Sequence, residues 1–222
     1  KRPASVVKEL VENALDAGAG TVTVRIKEAG RELIQVVDDG CGMSAEDAKA
    51  CFERHATSKI ATVEDLEAIR TLGFRGEALT SIAAVAQVRM KTRLHEEEAG
   101  HLVEINGGDL ETSRPCAHRP GTSVEVRNLF YNVPARRNFL KTPATEFKHI
   151  AETVQFLALA HPAVAFELIH NGNTVYELPA REEEERPDRL RGRILDISGE
   201  AHDEQLIPLE ESTSYLSLRG FV

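Results

Sequence analysis

Pro3-Ala4-Ser5-Val6-Val7-Lys8-Glu9-Leu10-Val11-Glu12-Asn13-Ala14-Leu15-Asp16-Ala17-Gly18 reads as a helix with one working edge. Pro3 stands where a first-turn proline is tolerated, and Gly18 follows as a stop. Over residues 4–17, Val6, Val7, Leu10, Val11, Ala14 and Leu15 fall on one half of the helical wheel. Glu9, Glu12, Asn13 and Asp16 fall on the other half. Glu9 and Asn13 are four apart, so their side chains stack on one edge, and that edge borders the apolar face. A carboxylate there can orient and deprotonate a water. An amide oxygen one turn on can hold Mg2+, which prefers hard oxygen ligands and takes waters and phosphate oxygens as its others. The same spacing also describes an ordinary solvated helix face.

Beyond Gly18 the period changes to two. Thr21–Lys27 alternates, with Val22, Val24 and Ile26 on one face, and residues 32–38 read as a second strand joined through Ala29-Gly30. Asp38-Asp39-Gly40-Cys41-Gly42-Met43 is a tight glycine turn. A carboxylate at a strand end, as Asp38 is, can accept a hydrogen bond from an exocyclic amine such as that of adenine. The glycines let backbone come close to a flat base. A plain Asp-Gly turn is the other reading.

Ser44 and Asp47 make a capping-box-like start for a helix over 45–53. Residues 54–76 read as two loops around a short helix capped by Thr62. Gly73-Phe74-Arg75-Gly76-Glu77-Ala78-Leu79 puts glycines ahead of a helix over about 77–84, which frees the first amide N–H groups to face a phosphate. Glu77 suits the positive end of that helix dipole. A loop that merely ends at a helix start fits the same letters. Strands follow at roughly 86–93, 101–105 and 122–127, then a helix over 145–160.

Pro162 marks an expected boundary. After it come strands at 164–170 and 173–178 flanking the hairpin signal Asn171-Gly172, a charged loop, a helix near 188–196 and a strand over 214–222. The expected division is therefore 1–162 for a first domain and 163–222 for the start of a second.

The bulk numbers exclude several classes. The 222 residues are 41% hydrophobic and 28% charged, an ordinary globular composition. No stretch approaches the roughly 20 apolar residues of a membrane span. The chain opens on Lys1-Arg2-Pro3 without an initiator Met, which reads as a piece of a longer protein. Cys41, Cys51 and Cys116 are an odd number with no Cys-x-x-Cys pair, which suits plain thiols in a reducing compartment. A net charge of −9 argues against a protein that coats nucleic acid. No Gly-x-x-x-x-Gly-Lys-Ser/Thr, Gly-x-Gly-x-x-Gly after a strand, Gly-x-Ser-x-Gly or His-Glu-x-x-His occurs.

The order of the motifs is more specific than any one of them. A helix with Glu-x-x-x-Asn, then Asp-x-Gly-x-Gly, then a glycine loop before a helix, then Gly121-Thr122 leading a strand, resembles the GHKL ATPases. That superfamily includes gyrase B subunits, the large heat-shock chaperones, sensor histidine kinases and MutL. Residues 2–18, Arg54-His55-Ala56-Thr57-Ser58-Lys59, residues 72–79 and Leu129-Phe130-Tyr131-Asn132-Val133-Pro134-Ala135-Arg136-Arg137 look like the MutL family of DNA mismatch-repair proteins. The likeness covers nearly the whole chain and thins after Pro162.

The resemblance implies an α+β fold of the GHKL (Bergerat) type. This is a two-layer sandwich whose mixed, largely antiparallel sheet carries helices on one face, with ATP between the layers and a transducer domain beginning after it. Glu9 would be the general base and Asn13 the Mg2+ ligand. Asp38 would take the adenine amine, with Thr122 helping through a water. Residues 54–79 would form a lid, with Lys59 and the backbone of Gly73, Phe74, Arg75, Gly76, Glu77, Ala78 and Leu79 on the phosphates. Ala17, Gly42 and Thr57 would complete the nucleotide contacts. Asp39 stands where the family often has Asn, with no change of chemistry expected.

The family also implies an N-terminal arm, a phosphate-sensing lysine in the second domain and a distant dimerisation domain. Without them the chain is expected to be a monomer with weak turnover. The whole protein would be a homodimer with ATP-dependent N-terminal pairing. Its partners would be a MutS-type mismatch-recognition protein, a downstream nicking endonuclease and helicase, and DNA contacted mainly elsewhere. No membrane contact is implied. The location would be cytoplasmic and DNA-associated in a bacterium, or nuclear in a eukaryote.

Overall fold

The computed structural model describes residues 2–53, 78–181 and 186–222. Helix α1 (Pro3–Asp16) begins on Pro3 and ends before Gly18, whose φ is +72°. Its stripe Val6, Val7, Leu10, Val11 and Ala14 is buried. Strands β1 (Thr21–Lys27) and β2 (Leu33–Asp38) follow, joined by a 3-10 turn at Glu28–Gly30. Then come α2 (Ala45–Ala50), α3 (Ala78–Ala83), β3 (Gln87–Arg93), β4 (Gly100–Asn106), β5 (Asp109–Cys116) and β6 (Gly121–Arg127). Helices α4 (Pro134–Asn138) and α5 (Pro143–Ala160) lead to β7 (Ala165–His170) and β8 (Asn173–Leu178). Helix α6 (Arg186–Ser198), a 3-10 turn at Glu200–Gln205, and the hairpin β9 (Pro208–Ser212) and β10 (Ser217–Phe221) complete the described chain.

Strands β1 to β8 form one sheet in the order β5-β4-β3-β6-β2-β1-β7-β8. Every pairing is antiparallel except β1 with β7. The register places Leu168, Val24, Val36, Val124, Met90 and Val103 in one row across six strands, and all six are buried. Cross-strand partners share a face, so this row is a continuous apolar floor. Helices α1 and α5 cover it with Val7, Leu10, Val11, Ile150, Val154 and Ala158. Each valine, leucine and isoleucine among them, removed from water, contributes about 1.5–3 kcal/mol. The opposite face is polar: Arg89 Nε bonds Glu104 Oε1 at 2.8 Å, and Gln35 Nε2 reaches Ser123 Oγ and Glu125 Oε1, each at 3.3 Å. One dry face and one polar face make the two-layer α+β sandwich.

Three differences from the sequence reading have physical reasons. Strands β7 and β8, expected to open a second domain after Pro162, are instead part of the first sheet, since β7 lies parallel to β1 from Thr21↔Ala165 to Ile26↔His170. Letter patterns report local structure, and this pairing joins residues far apart in sequence. Strand β5 is a largely exposed edge with no apolar alternation to announce it. The strand expected over 214–222 is a hairpin whose Ser217↔Ser212 to Phe221↔Pro208 register begins earlier.

Candidate nucleotide site

One row along from the apolar floor, the same face turns polar. The register aligns Val22, Asp38, Thr122, Thr92 and His101 across β1, β2, β6, β3 and β4. Asp38 is 6%, Thr122 8% and Thr92 0% exposed, so three oxygen-bearing side chains sit where the pattern calls for aliphatics. Buried polar groups are stable only when hydrogen-bonded.

Their bonds are mutual. Asp38 Oδ1 accepts the Gly40 amide at 3.0 Å and the Thr122 amide at 3.3 Å. Thr92 Oγ1 accepts the Met43 amide at 2.9 Å, donates to the Gly121 carbonyl at 3.2 Å and lies 3.0 Å from Thr122 Oγ1. Burial pushes the Asp38 carboxyl up to about 6. The two amides pull it down, neighbouring Asp39 pushes it up, and Arg119 pulls it down. Asp38 is therefore largely ionised at neutral pH, yet closer to protonation than an ordinary aspartate.

The glycine turn is packed between helix and sheet. The Cys41 amide donates to the Ala17 carbonyl at 2.9 Å, which ties the turn to the end of α1. Gly42 has φ +72°, and a Cβ there would lie 2.0 Å from the Arg93 carbonyl oxygen. Gly121 has φ +107°, and its Cβ would lie 2.2 Å from the Asp38 carbonyl oxygen. Both positions need the missing side chain as well as the left-handed backbone. Asp39 Oδ1 accepts the Gly20 and Thr21 amides at 2.9 and 2.8 Å.

These bonds thus join Ala17, Asp38 and Thr122 through the turn that holds Gly42. Asn13 lies one turn back from Ala17, whose amide donates to the Asn13 carbonyl at 3.0 Å. Glu9 lies one further turn back, and both side chains are half-buried. Glu12, between them, is the buried acid, 8% exposed and ion-paired with Lys8. Ala78 and Leu79 open α3, and Leu79 packs against the core. Thr57, Lys59, Gly73, Phe74, Arg75, Gly76, Glu77 and the helix expected at Thr62 lie outside the described residues. Thr92 was not singled out from the sequence. The signal was present: in Val88-x-Met90-x-Thr92 a hydroxyl occupies the apolar phase of an alternating strand. Among the described residues, no three histidine, cysteine or acidic side chains gather as a metal site.

Residues 1–129 match the family model of histidine kinase-, DNA gyrase B- and HSP90-like ATPases. With the mixed sheet and its helical cover, this match makes the chain a GHKL-type ATPase domain. All 222 residues align at 48% identity with the DNA mismatch repair protein MutL of Christiangramia forsetii, covering 35% of that protein. The MutL of Porphyromonas gingivalis strain ATCC 33277 is 51% identical over the same length, again covering 35% of it. The solved ATPase domain of Aquifex aeolicus MutL complexed with ADP is 32% identical, with a TM-score of 0.72 over 99% of this chain and 75% of that one. The chain belongs to the MutL family of DNA mismatch-repair proteins. It spans about a third of the length of the curated relatives it matches.

Proposed function

We propose that this chain binds ATP between sheet and helices and hydrolyses it with Mg2+, and that in the whole protein the cycle is a conformational switch in DNA mismatch repair. The observation that carries the reading is the buried Asp38 carboxylate, already backed by two amides on Oδ1 at the polar end of the sheet. Oδ2 is then the oxygen for an adenine amine. Gly42 and Gly121 let the turn and β6 pack backbone to backbone against Arg93 and Asp38, which fixes the wall beside that oxygen. Asn13 would supply a hard oxygen for Mg2+, which would offset charge on the phosphates when bound. Glu9, one turn away, positions a water and takes its proton. The water oxygen bonds to the terminal phosphorus, the bond to the ADP oxygen breaks, and ADP and phosphate leave.

Lys59, Thr57 and the backbone of residues 73–79 would hold the phosphates, with Ala17 at the pocket wall. A transducer domain downstream, a homodimer with ATP-driven N-terminal pairing, a MutS-type protein, a nicking endonuclease and helicase, and DNA belong to the same proposal for the whole protein. The test is Glu9→Ala beside Asn13→Ala in the whole protein. Loss of a positioned base costs about 10²–10⁴ in rate. Glu9→Ala should bind ATP normally and lose turnover, whereas Asn13→Ala should lose Mg2+-ATP affinity. Unchanged turnover in Glu9→Ala removes it from the mechanism.

A further inference from the structure

We infer that Asn132 is a positioning residue for the phosphate end of the nucleotide: its side-chain amide clamps the C-terminal end of α3 and so sets where Ala78 and Leu79 stand. The inference rests on the proposed reading of residues 73–79 as the holder of the phosphates.

Helix α3 is short, and the last carbonyls of a helix have no donor within it. Past Ala83 three successive carbonyls take donors from elsewhere in the fold. The Ala84 carbonyl accepts Asn132 Nδ2 at 3.0 Å. The Val85 carbonyl accepts the Phe130 amide at 2.7 Å, and the Ala86 carbonyl accepts the Gly107 amide at 3.2 Å. Of these three donors only Asn132 is a side chain. The direction of its bond is settled by chemistry, because a backbone carbonyl can only accept and so faces the amide nitrogen.

The segment that carries Asn132 is bent to reach this place. Asn128 and Phe130 have φ of +52° and +66°. A positive φ in a bulky residue persists only where its surroundings enforce it. Here they do: Leu129 and Phe130 are buried, and the Asn128 amide donates to the Glu32 carbonyl at 3.1 Å. Asn128 Nδ2 donates to Gln87 Oε1 at 2.8 Å, and the Tyr131 hydroxyl donates to Asn106 Oδ1 at 2.6 Å. The clamp therefore stands on the sheet rather than on a loose loop.

The effect reaches the phosphate end through α3 itself. Ile82 and Ala83 are buried and Leu79 packs against the same core. Apolar burial is non-directional, so it selects the inward face and leaves the tilt open. Thr80 Oγ1 donates to the Glu53 carbonyl at 3.2 Å, a single tie that acts as a pivot. Directional bonds at the far end then set the angle. Leu79 and Ala84 are separated by about 7.5 Å of helix, short enough to move as one rod. Releasing Ala84 shifts Leu79 and Ala78, while the base end around Asp38 keeps its own bonds.

The experiment measures the affinity of the whole protein for Mg2+-ADP by calorimetry and for adenosine by ligand-observed NMR, in the unchanged sequence, Asn132→Ala and Asn132→Leu. Leucine keeps the volume and lacks the donor. The ratio of ADP to adenosine affinity reads the phosphate end alone, and a residue that merely stabilises the fold would not move it. Both variants should lose about threefold to tenfold of that ratio, the size of one hydrogen bond, with adenosine affinity unchanged. Asn132 is exposed, so neither variant opens the core. A ratio that stays unchanged in either variant overturns the inference, whether both affinities fall together or neither falls. An unchanged sequence that binds ADP no better than adenosine would instead sink the phosphate reading beneath it.

Discussion

Asp39 closes the start of β1 by holding Thr21: its Oδ1 accepts the Thr21 amide at 2.8 Å and the Gly20 amide at 2.9 Å. Neither bond requires a charge, because an asparagine oxygen accepts in the same way. The charge acts elsewhere, since Asp39 is one of the groups pushing the Asp38 carboxyl up. Asp39→Asn should therefore leave stability nearly unchanged and lower the titration midpoint of Asp38, read by carboxyl NMR. Asp39→Ala should cost about 1–2 kcal/mol in urea unfolding, for two amides left without an acceptor. An Asn variant as unstable as Ala would show that the charge holds the strand.

Asp38 costs the folded state stability. Its carboxyl titrates near 6 against 3.8 for the unfolded group. Between those values the folded state binds more protons than the unfolded state, so stability falls as pH rises from about 4 to about 6 and levels off above. The loss is on the order of 2–3 kcal/mol. Asp38→Asn keeps an oxygen for the Gly40 and Thr122 amides and removes the buried charge. It should raise the melting temperature of the nucleotide-free chain by several degrees at pH 7.5 and shrink the further rise on adding ADP. A variant that melts lower without nucleotide would refute this cost.

The same midpoint governs binding. The proposed base contact uses the ionised carboxylate, and burial holds that form back until pH passes about 6. ADP affinity should be flat above pH 7 and fall by up to tenfold per pH unit below 6. Asp38→Asn should erase the dependence. A wild-type profile that persists in that variant would assign the titration to another group.

Local chemistry was legible and long-range pairing was not. The α1 stripe, the alternation of β1 and the Asp38 turn could be read from consecutive letters because helix period, strand period and turn residues are local properties. Thr92 entered only through the register, which sets Thr122 opposite a residue 30 positions earlier. The parallel pairing of Val24 with Leu168 is equally nonlocal and moved β7 and β8 from an expected second domain into the first sheet. Strand β5 escaped because Leu110, its one large aliphatic, is 56% exposed, so no buried face imposes a pattern. Glu9 and Asn13 stand on the edge their spacing implies, but spacing says nothing of what a neighbouring loop brings to that edge.

Arg193 joins α6 to the sheet by hydrogen bonds to backbone carbonyls. Its Nη2 reaches the carbonyls of Pro162, Val164 and Pro179 at 3.0, 2.8 and 2.7 Å. Two protons serve three oxygens, so one bond is shared. The guanidinium also lies over the Phe166 ring, 5.8 Å from its centroid, and the residue is 0% exposed. Pro162 and Val164 lead into β7 and Pro179 follows β8, so one side chain gathers both ends of that hairpin under α6. The nearby Arg181–Asp196 pair, at 2.7 Å, secures the same helix separately. Arg193→Met fills much of the space but leaves the carbonyls without a donor in a dry site. Buried carbonyls left without a donor cost about 1–3 kcal/mol each, offset in part because Nε and Nη1 of Arg193 are themselves buried without a hydrogen-bond partner. Arg193→Lys brings three donors on one nitrogen and should recover part of that, although it gives up the planar stacking on Phe166. Urea unfolding of the three chains separates the contributions. Lysine intermediate between arginine and methionine is the expected order. Lysine no better than methionine would place the stabilisation in the stacking, and methionine equal to wild type would show that the hairpin does not depend on Arg193.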